Sequence, residues 1–323
     1  MKGRHRIEVR NNQCVYQFEL ERNISVIRGM SATGKTTLIQ MIQSYEQYGP
    51  SSGIILHCDK SCVVLDQRQW QLVLSGIRDS IVFIDEGHDF VVTTEFAAAI
   101  RNSDNYYVII SRQNLLNLPF SVESIYGIRG RKYFRLEKTY HSLYRLYPPT
   151  ESVPFRPVRI ITEDSNAGFE FFQHVADRLQ ISCTSAGGNS QLLDCIRQLD
   201  AEPGLMIADG AAFGAYMEMV SEYLGRKQLC LYVPESFEWL ILGSGLIRDD
   251  KELRQIMADP ASYIESSRYF SWERYFTALL VEKTKGTWLA YHKGKLNPVY
   301  SQEHESREIL KNTPLAAWLS DFM

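Results

Sequence analysis

The 323-residue chain is predicted to be an α/β protein: a first domain on a mainly parallel sheet, a smaller α/β domain, and a helical C-terminal region. Three observations carry that expectation. Short apolar runs alternate with stretches of helical spacing in both halves. Gly-x4-Gly-Lys-Thr, residues 29–36, stands between one such run and one such stretch. Four of the eleven prolines cluster in "YPPTESVPFRP", residues 147–157, a composition shift that reads as a linker. The expected domains are therefore 1–147 and 157–245, joined by a linker over 148–156 and followed by a helical extension over 246–323.

Taken in order, "RHRIEVRN", "CVYQFEL" and "ISVIRG" are strand-like, and the third leads straight into the glycine-rich segment. "KTTLIQMIQSYEQY" follows with Leu38, Ile39 and Ile42 at helical spacing. Further strands are expected at "GIILHCD", "CVVL", "SIVFIDE", "YYVIISR" and "KYFRLEK", and helices at "RQWQLVLSGI" and "TTEFAAAIRN". Strands separated by helices imply parallel neighbours with helices on both faces.

Composition narrows the partners. With 45% hydrophobic and 23% charged residues, the chain can bury a substantial core. A net charge of −3 gives no global cationic field, so any contact with nucleic acid must come from a local patch. No apolar run reaches the roughly 18 residues of a membrane span, and the first residues carry no signal-peptide apolar stretch. No membrane partner and a cytoplasmic location are expected. The six cysteines are dispersed and suit reduced thiols. Only Cys58 and Cys62, beside His57, have the spacing of half a metal site, and no second pair completes it.

The glycine-rich loop has a specific chemistry. Gly29 and Gly34 let the backbone turn so that successive amides point inward, and the following helix N-terminus adds partial positive charge for a phosphate. Lys35 can then reach the β and γ phosphates, and the Thr36 hydroxyl can ligate magnesium. A metal held there also needs a carboxylate from a neighbouring buried strand, and "SIVFIDEGHDF" offers Asp85 followed by Glu86. These two segments resemble the Walker A and Walker B elements of P-loop NTPases, over residues 24–112. The resemblance implies ATP and Mg2+ as ligands. It places the nucleotide on Gly29, Ser31, Ala32, Thr33, Gly34, Lys35, Thr36 and Thr37, and magnesium on Thr36 and Asp85. Glu86 would then orient or deprotonate the attacking water. Ser111 and Arg112 end the next strand, where related ATPases place a γ-phosphate sensor; Arg112 is read as a sensor, an arginine finger or a surface ion-pair partner. The hairpin-like lead-in, residues 4–29, resembles that of ATPases of the ABC, SMC and overcoming-lysogenization-defect groups.

Past the linker, "VRIITEDSNAGFEFFQHVADRL", "ISCTSAGGNSQLLDCIRQL" and "GLMIADGAAFGAYMEMV" each read as strand, polar turn and helix, and "LCLYVPESFEWLIL" adds a fourth strand. Glu163 and Asp209 end two of these strands, the position at which ligands gather in parallel α/β sheets. The order resembles the TOPRIM domain of topoisomerases, primases and ATPase-linked nucleases over residues 157–242. By that resemblance Glu163 and Asp209 are metal ligands. The family's second aspartate is replaced by Ala211, leaving Asp164, Glu235 or Glu238 to complete the set. The alternative is that "TEDSN" caps a helix and "ADG" makes a turn.

In the extension, Lys283, Lys285, Lys293 and Lys295 are interleaved with Trp288 and Tyr291, a pattern able to pair with phosphates and stack on bases, or equally a solvated face over a core. The expected function is ATP binding and hydrolysis controlling a TOPRIM-like, Mg-dependent nuclease that acts on DNA or RNA through the C-terminal half. The alternative is a nucleotide-gated scaffold with an inert second domain. A homo-oligomer or a partner protein is expected in either case.

Overall fold

The computed structural model describes residues 1–29, 33–66, 68–132, 138–148, 155–199, 202–224, 228–247 and 250–319. The chain divides into two compact units, Met1–Pro148 with Asp259–Ser271, and Pro149–Ala258 with Trp272–Met323. Residues 149–154 of the expected linker lie outside the described residues, as do 133–137 of the strand expected over 132–138.

The first unit contains β1 (His5–Arg10), β2 (Cys14–Leu20), β3 (Ile24–Ile27), α1 (Lys35–Tyr48), β4 (Ile55–His57), β5 (Ser61–Val64) and α2 (Trp70–Gly76). β6 (Ser80–Ile84), α3 (Thr94–Ile100), β7 (Tyr106–Ile110), β8 (Ile125–Lys132) and β9 (Thr139–Arg145) follow. One nine-stranded sheet runs β4-β1-β2-β9-β8-β3-β7-β6-β5. Its half from β8 to β5 is parallel throughout, and β3, β6 and β7 are buried at every residue, as strands covered on both faces must be. In the other half β1 and β2 form the antiparallel hairpin expected of the lead-in; β4 with β1 and β8 with β9 are also antiparallel, while β2 and β9 are parallel. β1 and β2 accordingly alternate buried and exposed positions.

β4 and β5 lie at opposite edges of this sheet, yet only residues 58–60 join them. Laid flat, the eight strand spacings would separate the edges by about 38 Å, whereas that connection reaches at most about 14 Å. The sheet therefore curls back on itself around α1. Leu38, Ile39 and Ile42 of α1 share one core with Ile7, Val9 and Phe18 of the hairpin and Ile81, Phe83 and Val108 of the parallel half.

Residues 259–271, assigned by sequence to the C-terminal extension, pack with the first unit instead. The Gly3 amide donates to the Ala261 carbonyl at 2.7 Å, the Asn23 side-chain amide to the Phe270 carbonyl at 2.9 Å, and the Met1 ammonium to Glu265.

The second unit holds β10 (Arg159–Thr162), α4 (Ala167–Leu179), β11 (Ser182–Ser185), α5 (Asn189–Arg197), β12 (Gly204–Ile207), α6 (Met217–Leu224), β13 (Leu229–Tyr232) and α7 (Phe237–Gly243). It is completed by α8 (Lys251–Ala258), α9 (Trp272–Thr284), α10 (Glu303–Leu310) and α11 (Leu315–Trp318). Its sheet is parallel throughout, in the order β11-β10-β12-β13. The chain moves outward from β10 to β11 and then returns to the other side of β10 for β12. The strand order thus reverses between β10 and β12, which opens a crevice at their carboxyl ends.

Candidate functional site

In the first unit, parallel pairing sends β3, β7 and β6 to one edge, with Ile27 opposite Ile110 and Ile84 opposite Ile109. The glycine-rich loop leaves β3 at that edge. Gly29 and Gly34 have φ of 129° and 97°, a region that side-chain-bearing residues enter only with strain. Lys35 opens α1 and is 6% exposed, and its Nζ donates to the Gly29 carbonyl at 2.6 Å. That bond closes the loop on itself. Thr36 and Thr37 are exposed on the first turn of α1. Ser31 and Ala32 lie outside the described residues.

Two side chains that sequence reading did not single out support the loop from below. The Tyr16 hydroxyl donates to the Gly34 carbonyl at 2.8 Å, and its ring stacks on His141 with centroids 4.3 Å apart and planes 9° from parallel. Burial raises the Tyr16 phenol above its ordinary range and lowers the His141 imidazole. The only sequence signal was the inward register of Tyr16 on β2; His141 lies on β9, which the apolar pattern did not reveal.

The acidic partner comes from the same edge. Asp85 immediately follows β6, and its Oδ1 accepts the Glu86 amide at 2.8 Å. Glu86 Oε1 is 2.6 Å from Arg112 Nε. The Ser111 amide donates to the Ile27 carbonyl at 3.3 Å, tying the end of β7 to the start of the loop. β7 intervenes between β3 and β6, so the acidic strand end lies about 10 Å from the loop strand, which leaves room for a phosphate and its counter-ion. Thr36 and Asp85 are hard oxygen donors of the kind magnesium takes alongside phosphate oxygens and water, and they fit that ion.

In the second unit the fold brings Glu163 and Asp209 together at the β10–β12 switch. Glu163 Oε2 accepts the Asp209 amide at 3.1 Å, and Asp209 Oδ1 accepts the Phe237 amide, the first of α7, at 3.2 Å. Glu238 was among the candidates to complete the set; Tyr291, Glu273 and Lys293 were not anticipated there. Glu238 is 2% exposed and accepts from the Tyr291 hydroxyl at 2.9 Å, while Glu273 of α9 is ion-paired with Lys293. Burial, reinforced by Glu273, Glu238, Glu163 and Asp164, pushes the Asp209 carboxyl well above the usual carboxylate range. Burial also raises Asp164. Burial alone would lower Lys293, but Glu273, Glu238 and Asp209 outweigh it and hold the ammonium above the ordinary lysine range.

The cavity lined by Glu163, Asp164, Asp209, Phe172 and Phe237 measures about 20 Å³, room for about one water. A two-metal centre needs ions about 3.5–4 Å apart with open positions for substrate, more room than these side chains leave as they stand. Among the described residues no group of three or more His, Cys, Asp or Glu side chains is arranged to hold a metal ion. The Ala211 amide donates to the Glu235 carbonyl at 3.1 Å, and the Gly210 amide to the Pro234 carbonyl at 2.6 Å. A Cβ at Gly210 would lie 2.5 Å from the Val233 carbonyl oxygen. Gly210→Ala is therefore expected to destabilise the protein by about 1–3 kcal/mol, read as a lower urea midpoint; an unchanged midpoint would show that this approach is not close.

Of the basic and aromatic residues in the extension, Lys283 pairs with Asp250 and Glu252 at 2.8 and 2.7 Å, and Lys293 with Glu273. Tyr291 is buried, so it offers no face for stacking on a base. Lys285, Lys295 and Trp288 are the exposed members. Among the described residues no helix is long and apolar enough to cross a membrane.

No protein-family model matches the chain, and no curated protein is significantly similar to it in sequence.

Proposed function

We propose that this protein binds and hydrolyses ATP at the loop between β3 and α1, and that its second unit is a catalytically inert module through which the nucleotide state acts on a partner. One observation carries the first part: two left-handed glycines flank a loop closed by a buried Lys35, while Asp85 and Glu86 end a parallel strand at the same sheet edge. In this reading Lys35 Nζ exchanges the Gly29 carbonyl for phosphate oxygens, and the loop amides and the N-terminus of α1 hold the remaining charge. Glu86, oriented by Arg112 at 2.6 Å, accepts the proton of the attacking water. Magnesium, held by Thr36 and Asp85, supplies charge neutralisation on the phosphates. The 20 Å³ cavity and Ala211 favour an inert second unit over a nuclease.

Binding of Mg-ATP and release of phosphate by the purified chain test the proposal, and Gly34→Ala makes the test specific. A Cβ there would lie 2.7 Å from the Tyr16 hydroxyl and 3.0 Å from His141 Cε1, on a backbone at φ 97°. Strain of about 1–3 kcal/mol should weaken ATP binding at least about fivefold. Equal affinity in wild type and Gly34→Ala, or no ATP binding by the wild type, would overturn the reading.

A further inference from the structure

To the acidic groups read from the sequence at the centre of the second unit, the fold adds Glu273. Glu163, Asp164 and Asp209 come from the strand ends, Glu238 from α7 and Glu273 from α9. Carboxylates drawn together out of water need a cation or they repel one another. Lys293 sits against them, ion-paired with Glu273, and its position is built rather than incidental. Its own carbonyl accepts the Ala167 amide at the start of α4 at 3.0 Å. Three residues on, the Leu296 amide donates to Glu170 Oε2 at 2.8 Å. Two residues before, the Tyr291 hydroxyl donates to Glu238 at 2.9 Å, and the Tyr291 amide donates to Thr284 Oγ1 at 3.1 Å. The segment 291–296 is thus pinned on both sides of the lysine.

A divalent ion entering this centre would meet the positive charge of that ammonium, which acts on Glu273, Glu238 and Asp209. It would also find Glu163 and Asp209 each accepting a backbone amide, and a cavity of about 20 Å³. We infer that Lys293 supplies, as a resident ammonium, the positive charge that a metal ion would otherwise bring to the carboxylates at the β10–β12 strand ends, so that the second unit is assembled without a divalent cation. A lysine ammonium can do this because it is a compact point charge with three donors. It has no coordination site to open, so it can neutralise the cluster without activating water. The inference rests on the reading of the second unit as inert and is independent of ATP hydrolysis in the first.

Two measurements on the full-length protein decide it. In calorimetric titration of the metal-stripped, nucleotide-free protein with Mn2+, no binding should depend on Asp209: the isotherms of wild type and Asp209→Asn should coincide, since any ion elsewhere remains in both. In thermal melts, Lys293→Met should lower the melting temperature by at least about 4 °C, and Lys293→Met with Glu273→Gln should recover at least half of that loss, because the carboxylate that Lys293 pairs with is removed together with its counter-charge. Should Lys293→Met prove too unstable to purify, the double variant still reports through its recovery. Saturable Mn2+ binding abolished by Asp209→Asn would overturn the inference, as would a Lys293→Met protein as stable as wild type or a double variant with no recovery. Mn2+-dependent cleavage of plasmid DNA or RNA that disappears in Asp209→Asn would overturn the inert reading as well, so the two failures are distinguishable.

Discussion

Lys35→Ala should reduce ATP hydrolysis to background and weaken ATP binding at least about a hundredfold, equivalent to about 2.7 kcal/mol. The magnitude follows from position. Lys35 is the only charged side chain within the loop sequence, residues 29–36, and its Nζ already lies 2.6 Å from the Gly29 carbonyl, so little movement is needed to present it to a phosphate. Charge-assisted bonds of that kind contribute about twice as much as neutral ones. The fold should survive. In the free protein the substitution removes the bond to the Gly29 carbonyl, worth about 1 kcal/mol, while Leu38, Ile39 and Ile42 stay buried in the core. Phosphate release, equilibrium ATP binding and a thermal melt of the same preparation check all three statements. Undiminished hydrolysis by a folded variant would remove the loop from the mechanism.

Glu86→Gln should separate binding from turnover. The glutamine keeps the size of the side chain and cannot accept a proton, so hydrolysis is expected to fall at least about a hundredfold, a loss typical of removing general-base assistance. ATP affinity should stay within about threefold, because Glu86 is assigned to the water and not to the phosphates. Stability should hardly change: the Glu86–Arg112 pair has side chains 35% and 57% exposed, and ion pairs in water contribute at most about 1 kcal/mol. Single-turnover hydrolysis beside equilibrium binding reads both quantities. If Glu86→Gln turns over ATP at the wild-type rate, the water is handled by another group, and His88 or Asp89 in the same turn becomes the next residue to replace.

The local elements around the loop were legible because their causes are local. β3, β6 and β7 are apolar at nearly every position, as strands buried on both faces must be, and α1 carries its apolar residues on one face. β8 and β9 escaped the same reading for a physical reason. The last four residues of β8 are exposed, and the inward positions of β9, Thr139, His141 and Leu143, are only partly buried and mostly polar, so neither strand carries the apolar–polar alternation that marks a half-buried one. Residues 259–271 escaped because their partners, Gly3 and Asn23 among them, lie more than two hundred residues away in the chain, beyond any periodicity.

Lys293 draws the dividing line most clearly. By itself the sequence determined two α/β units, a glycine-rich loop carrying a lysine and a threonine between a strand and a helix, and carboxylates at strand ends, since each follows from side-chain spacing over a few residues. Read the same way, Lys293 was one of several lysines beside aromatics, able to face a phosphate. Only the tertiary structure decided that it pairs with Glu273, that Tyr291 is buried against Glu238, and that a small cavity remains between the strand ends. The fate of a charge depends on what surrounds it in space. Its neighbours here come from β10, β12, α7 and α9, segments that meet only when the chain folds.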